Sequence, residues 1–198
     1  MSQRRLEERL ALLHPEDLAD LRMAVSLVSW RRQPINRTTA EIAAMYEECM
    51  AATRNRALRS TVEFRMNVRT VMVALRLKRL GRGVPSGRWG VGNYTRTIES
   101  RWTDPEFGLA AVFPWIPEAR VFLDQGDATG LESLLMGLLW TKLSQVADRH
   151  PFGFEQVFAF AFKWDILHRW LSYDAQKARR RFDKLVLEAT SEYQDIFA

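Results

Sequence analysis

The sequence is poor in the residues that most often build reactive sites. It holds one cysteine, Cys49, and three histidines in 198 residues. A single cysteine cannot close an internal disulfide, which fits a reducing compartment. Cys49 follows Glu47 and Glu48 in the helical stretch AAMYEECMAA. Acidic neighbours raise a thiol pKa and disfavour nucleophilic attack, so Cys49 reads as a packed helix residue. His14, His150 and His168 stand far apart, without the close spacing of a zinc motif such as H-E-x-x-H, and a metal centre is not expected.

Long hydrophobic runs are also missing. The longest, Leu134 to Trp140, is far short of the roughly 18 apolar residues of a membrane span. The opening MSQRRLEERL is charged and carries no apolar stretch of the kind found in secretion signals. No Ser/Pro/Gly-rich tract or long block of one charge marks disorder. These absences lead to the expectation of a cytoplasmic protein.

Lysine is scarce: only five of the 29 basic residues are lysine, and the rest are arginine. The net charge is +5 and the pI about 9.7. Arginine makes bidentate pairs with carboxylates and phosphates and keeps its charge when partly buried. The bias points to interfaces with acidic proteins or with nucleic acid.

What is abundant is helical periodicity. Leu6, Leu10 and Leu13 share a face in residues 3–13. Pro15, Glu16 and Asp17 open a second helix expected to run to about Arg32, before Pro34. Thr38 or Thr39 caps a third through Ala52, and a long helix follows from about Arg56 to Leu80. Residues 81–93, GRGVPSGRWGVGN, read as the clearest loop, with five glycines. Further helices are expected at 94–101, 127–147, 154–171 and 175–193, with short helical turns flanking Pro105, Pro114 and Pro117. No segment alternates with period two for long enough to make a strand. The expected fold is all-α: a multi-helix bundle around a long central helix, one domain or two helical lobes split near 81–93.

On that central helix Phe64, Val68, Val71 and Leu75 form one apolar stripe, and Val62, Met66, Val73, Leu77 and Leu80 a second. A helix apolar on two sides packs between layers. Arg65, Arg69 and Arg76 lie between the stripes, either paired with carboxylates of neighbouring helices or forming a partner-binding ridge. The glycine loop lacks a phosphate-binding pattern and no strand precedes it. Its Arg88 and Trp89 are candidate partner anchors, because arginine and tryptophan often dominate interface energy. Arg179, Arg180 and Arg181 form a third candidate basic surface. Asp165 and Arg169 are spaced to form an ion pair within one helix. In FGFEQVFAFAFKW the aromatics circle the helix, which indicates core or interface; Phe158, Phe162, Trp170 and Trp115 are expected to be buried.

Four segments carry a resemblance: LRSTVEFRMNVRTVMVALRLKRLGRG, WGVGNYTRTIESRW, FGLAAVFPWIPEARVFLDQGD and FGFEQVFAFAFKWDILHRWLSYDAQKARRRF. They resemble a bacterial family of unknown function encoded among the subunits of V-type (A/V-type) ATP synthases. The F-P-W at 113–115 and the R-W at 169–170 are its most specific parts. The resemblance implies a counterpart of the C/d-type subunit of the central stalk, a helical funnel joining the rotor shaft to the membrane ring. It implies no catalytic residues, no cofactor, other V-type ATPase subunits as partners, and a place peripheral to the inner membrane through the complex. The expected function is thus a non-catalytic structural or assembly subunit. The alternative is an arginine-rich helical nucleic-acid-binding protein, suggested by the pI and the basic 54–88 segment.

Overall fold

Each helix boundary has a local chemical cause. In the computed structural model, which describes residues 2–29 and 37–172, α1 (Gln3–Leu10) begins where the Ser2 side chain accepts from the Arg5 N–H. Proline at the first helical position starts α2 (Pro15–Val28). Thr38 and Glu41 close a reciprocal capping box on α3 (Thr39–Ala52): the Thr38 hydroxyl accepts from the Glu41 N–H, and Glu41 accepts from the Thr38 N–H. Asn55 caps α4 (Arg56–Arg79), its side-chain oxygen accepting from the Leu58 N–H at 2.9 Å.

The second half follows the same logic. A single short helix, α5 (Thr95–Ser100), precedes a run of turns over residues 101–115. Pro117 sits in the first turn of α6 (Ile116–Gln125), which ends at Gly126 in the left-handed conformation, φ 71°. Asp127 then caps α7 (Ala128–Arg149) by accepting from the Gly130 N–H. Residues 154–172 form the last described helix, α8. The described residues are all-α, with no strand, as periodicity indicated.

The expected boundaries shift in two places. α2 closes at Val28, so the stretch to Arg32 expected as helix runs into residues outside the description. α6 is a ten-residue helix where only short helical turns were expected to flank Pro114 and Pro117. Its proline occupies a position where the missing N–H has no helical acceptor to lose, so it starts the helix. The helix expected at 175–193 lies outside the described residues.

α4 is the central element, as its two apolar stripes require. Leu58, Val62 and Met66 enter a cluster with α2, α3, the second half of α7, and Phe158, Phe162 and Ile166 of α8. Val68, Val71, Met72, Ala74 and Leu75 enter another with Ile98, Phe107, Trp115, α6 and Leu131. Both α4 and α7 run through the two clusters, and the division between them crosses these helices partway along. Leu80, expected to extend the second stripe, is 71% exposed, because the helix has reached its C-terminal stop there.

The turns before α6 contain one backbone exception. Phe107 is fully buried with φ 56°, a conformation that disfavours a side chain with a Cβ. Its ring packs against Trp102 with centroids 5.5 Å apart, and the Lys78 ammonium lies 4.9 Å from its centre. The same ammonium donates to the carbonyls of Trp102 at 2.6 Å and Asp104 at 2.5 Å. Lys78 thereby clamps these turns to the end of α4, where a cation also faces the negative end of the helix dipole.

Candidate docking surfaces

The arginine ridge of α4 is only partly a surface. Arg65, Arg69 and Arg76 share one face, but Arg65 and Arg69 are half-buried and only Arg76 is exposed. Burial, then the adjacent Arg69 charge, lowers the Arg65 guanidinium to about 10. Burial likewise lowers Arg69, with Arg76 adding repulsion. Arg69 Nη1 is buried and meets no hydrogen-bond acceptor among the described residues. A guanidinium held this way keeps its charge at neutral pH while its stem covers apolar surface.

The glycine loop is not a free arm. Its second half is bonded to α4: the Val91 N–H donates to the Thr70 hydroxyl at 2.8 Å, and that hydroxyl donates to the Val91 carbonyl at 2.6 Å. The Asn93 N–H donates to Asn67 Oδ1 at 3.0 Å, and the Asn93 amide donates to Glu63. Gly92 has φ 99°, and a Cβ there would collide with Asn67 Oδ1. Glycine at this position therefore permits close approach to α4, not adaptation to a partner.

Trp89, expected as an exposed anchor, is a core residue: it is buried in the second cluster, and its indole N–H donates to Glu99 at 2.7 Å. A fully packed indole with its one donor satisfied has nothing left to offer a partner. Arg88 remains outside, about half exposed and paired with Glu47 of α3. Arg179, Arg180 and Arg181 lie outside the described residues.

The ion pair expected within α8 is replaced by two bonds to other helices. Asp165 accepts from the Ser29 hydroxyl at the end of α2, at 2.8 Å. Arg169 donates to Glu132 of α7, at 2.5 Å. The longer reach is favoured because each bond ties α8 to a different neighbour and satisfies a group facing the core.

The aromatic helix divides as a two-faced element. Phe158 and Phe162 are buried, with ring centroids 6.2 Å apart, and Trp115 is buried in the other cluster. Trp170 is the exception among the four expected core aromatics, at 41% exposed. It belongs to an outer stripe with Phe160, Leu167 and Leu171, all exposed. Steps of three, four and seven residues relate these positions, which puts the four on one side of the helix. The sequence signal was the circling of aromatics, which cannot place every ring inside.

A groove lies along one edge of this stripe, between α1 and α8 and beside the end of α7. Its volume is about 550 Å³, and its lining includes Leu6, Leu10, Leu13, Val157 and Phe160. Arg9 and Lys163 stand at it, and no carboxylate lines it.

The reactive residue types stay apart. Cys49 is buried, its thiol raised in pKa by burial and lying 3.6 Å from the Thr53 hydroxyl. His14, His150 and His168 are exposed. No group of three or more His, Cys, Asp or Glu residues is placed to hold a metal ion among the described residues. None of the described helices is long and apolar enough to cross a membrane.

An all-helical body with two internal clusters and an apolar outer face on its last described helix defines the class: an all-α protein. Residues 24–192 match the family model described as "Protein of unknown function (DUF2764)", and the chain belongs to that family. No curated protein matches the chain. No solved structure matches it.

Proposed function

We propose that the protein is a non-catalytic structural or assembly subunit of a bacterial V-type ATPase, docking the central stalk to the membrane ring. The observation that carries the docking part is the outer face of α8, where Phe160, Leu167, Trp170 and Leu171 are exposed together. Contiguous exposed apolar side chains on a protein surface mark interaction sites. The ATPase part rests on the resemblance carried by the segments around 113–115 and 169–170 and by the long central helix.

A coupler of this kind needs rigid helices and docking surfaces. The cross-helix bonds Arg169–Glu132 and Asp165–Ser29 hold α8 against α7 and α2, so the outer stripe is presented on a fixed support. Its partners are other ATPase subunits, it requires no cofactor, and it works at the cytoplasmic side of the inner membrane through the complex. The nucleic-acid alternative has less support: Arg54 pairs with Glu16 and Arg88 with Glu47, which neutralises part of the basic 54–88 segment.

The experiment is affinity purification of the tagged chain from native membranes, read by mass spectrometry. ATPase stalk or ring subunits should be recovered in near-stoichiometric amounts and lost when Leu167 and Trp170 are both changed to Ser. Recovery of no ATPase subunit with the wild-type chain would refute the reading. Salt-sensitive binding to generic nucleic acid in its place would favour the alternative.

A further inference from the structure

The groove between α1 and α8 has a shape and a charge of its own. Leu6, Leu10 and Leu13 of one wall and Val157 and Phe160 of the other make an apolar trough of about 550 Å³. That volume is in the range of about 300–1,000 Å³ usual for binding clefts. Leu6 is buried at its floor, whereas Phe160 is 51% exposed at its lip.

Two cations stand over this trough. Arg9 is exposed and forms no ion pair among the described residues. Lys163 likewise has no carboxylate partner among them, and its ammonium lies 5.0 Å from the centre of the Trp140 ring. An apolar floor beside two unneutralised positive charges asks for a ligand that is apolar on one side and negative beside it.

We infer that this groove receives an amphipathic helix of a partner protein, apolar on its inner face and acidic along its flank. The walls are themselves helices, whose backbone groups are paired internally, so an extended peptide would find no sheet edge to join. Leu6 and Leu10, four residues apart on α1, line the trough beside Leu12, which is 85% exposed, and a third helix can pack over them. Carboxylates on that helix reach Arg9 and Lys163, which sets its direction and register. The inference rests on the docking reading above and specifies one partner chemistry for it.

The test uses the full chain and two labelled amphipathic peptides of about 15 residues, long enough to form a helix on binding. Both carry leucine at helical spacing; one has glutamate on its flanks and the other lysine. Fluorescence anisotropy should show saturable binding of the acidic peptide only. Arg9→Glu should weaken it at least about tenfold, and Arg9→Glu with Lys163→Glu should bind the lysine peptide instead. Phe160→Asp should abolish binding of the acidic peptide. Lys163→Gln serves where the double reversal unfolds, and each variant is checked by its melting curve. Binding of neither peptide, or of both alike, overturns the inference. Self-association abolished by Phe160→Asp in sedimentation also overturns it, because a second copy then fills the groove. Recovery of ATPase subunits unaffected by Phe160→Asp removes the groove but keeps the docking reading. Binding of the acidic peptide with no ATPase subunit recovered keeps the groove and removes the ATPase assignment.

Discussion

The guanidinium of Arg169 donates to the carboxylate of Glu132 at 2.5 Å, and the two side chains are only 27% and 22% exposed. This pair joins α8 to α7 close to where the described part of α8 ends. Partial desolvation strengthens the bond and also makes either group costly to leave alone. Glu132→Ala should therefore destabilise the fold by about 1–3 kcal/mol, more than the loss expected for an exposed pair. Chemical denaturation of the single and double alanine variants checks this. A coupling energy near zero would show that the pair contributes no more than the exposed Arg4–Glu8 pair of α1.

The faces of α8 predict opposite responses to one substitution. Phe158→Ala or Phe162→Ala removes a buried ring and should cost about 3–5 kcal/mol. Phe160→Ala and Trp170→Ala remove rings that water already reaches and should change the melting temperature little. A large loss at Phe160 would show that the outer stripe is covered within the monomer.

The glycine loop predicts strain. Gly92→Ala forces a Cβ onto Asn67 Oδ1 at a φ of 99°, and should cost about 1–3 kcal/mol. Gly87→Ala also has positive φ but meets no atom within 4 Å, so it should cost less. Thermal melting of the two variants separates clash from backbone strain. Trp89→Ala should likewise unfold before it disturbs any partner, because Trp89 is core; Arg88→Glu is the informative change at this loop.

Acid should weaken the junction of α4 and α8. The Asn55 amide donates to Glu155 at 2.7 Å while its oxygen caps α4. Burial pushes the Glu155 carboxyl up, but the Asn55 bond, a backbone bond and the His150 charge together hold it below its ordinary 4.5. A depressed folded-state pKa contributes stability above the unfolded value, lost as pH falls through the folded one. Wild type should thus exceed Glu155→Gln in stability above 4.5, and the difference should shrink below that pH. Melting curves across this range would show a constant difference if the charge has no part.

Cys49 should be inert in the folded protein. Burial both blocks reagent and raises the thiol pKa. A thiol-reactive chromophore should label it only as the chain unfolds, at the rate of global unfolding. Rapid labelling under native conditions would mean that α3 opens locally.

Local chemistry determined the helices of this protein. The start at Thr38 and Glu41 acts within a few residues and was legible in the sequence alone, whereas the Asn55 cap and the left-handed stop at Gly126, equally local, emerged only with the structure. Apolar side chains on two sides of α4 likewise made it central, but the structure divides its contacts along the helix, so that Val73 packs against the cluster of Val68 and Val71 and not against that of Val62 and Met66. Only the tertiary structure decided which charged and aromatic groups remain available to a partner. Arg169 spaced four residues from Asp165 suggests a bond within α8, yet Glu132 and Ser29 are nearer in space and satisfy both groups. Trp89 in a glycine-rich loop suggests a projecting anchor, yet the hydroxyl of Thr70 and the amide oxygen of Asn67 hold the following residues against α4, and Glu99 takes the indole proton in a hydrogen bond. Phe158 and Phe160 are the same residue type two positions apart. The first is buried and the second exposed because α7 and α2 cover only one side of α8. Burial is a property of what packs against a residue, and that is set by contacts distant in sequence.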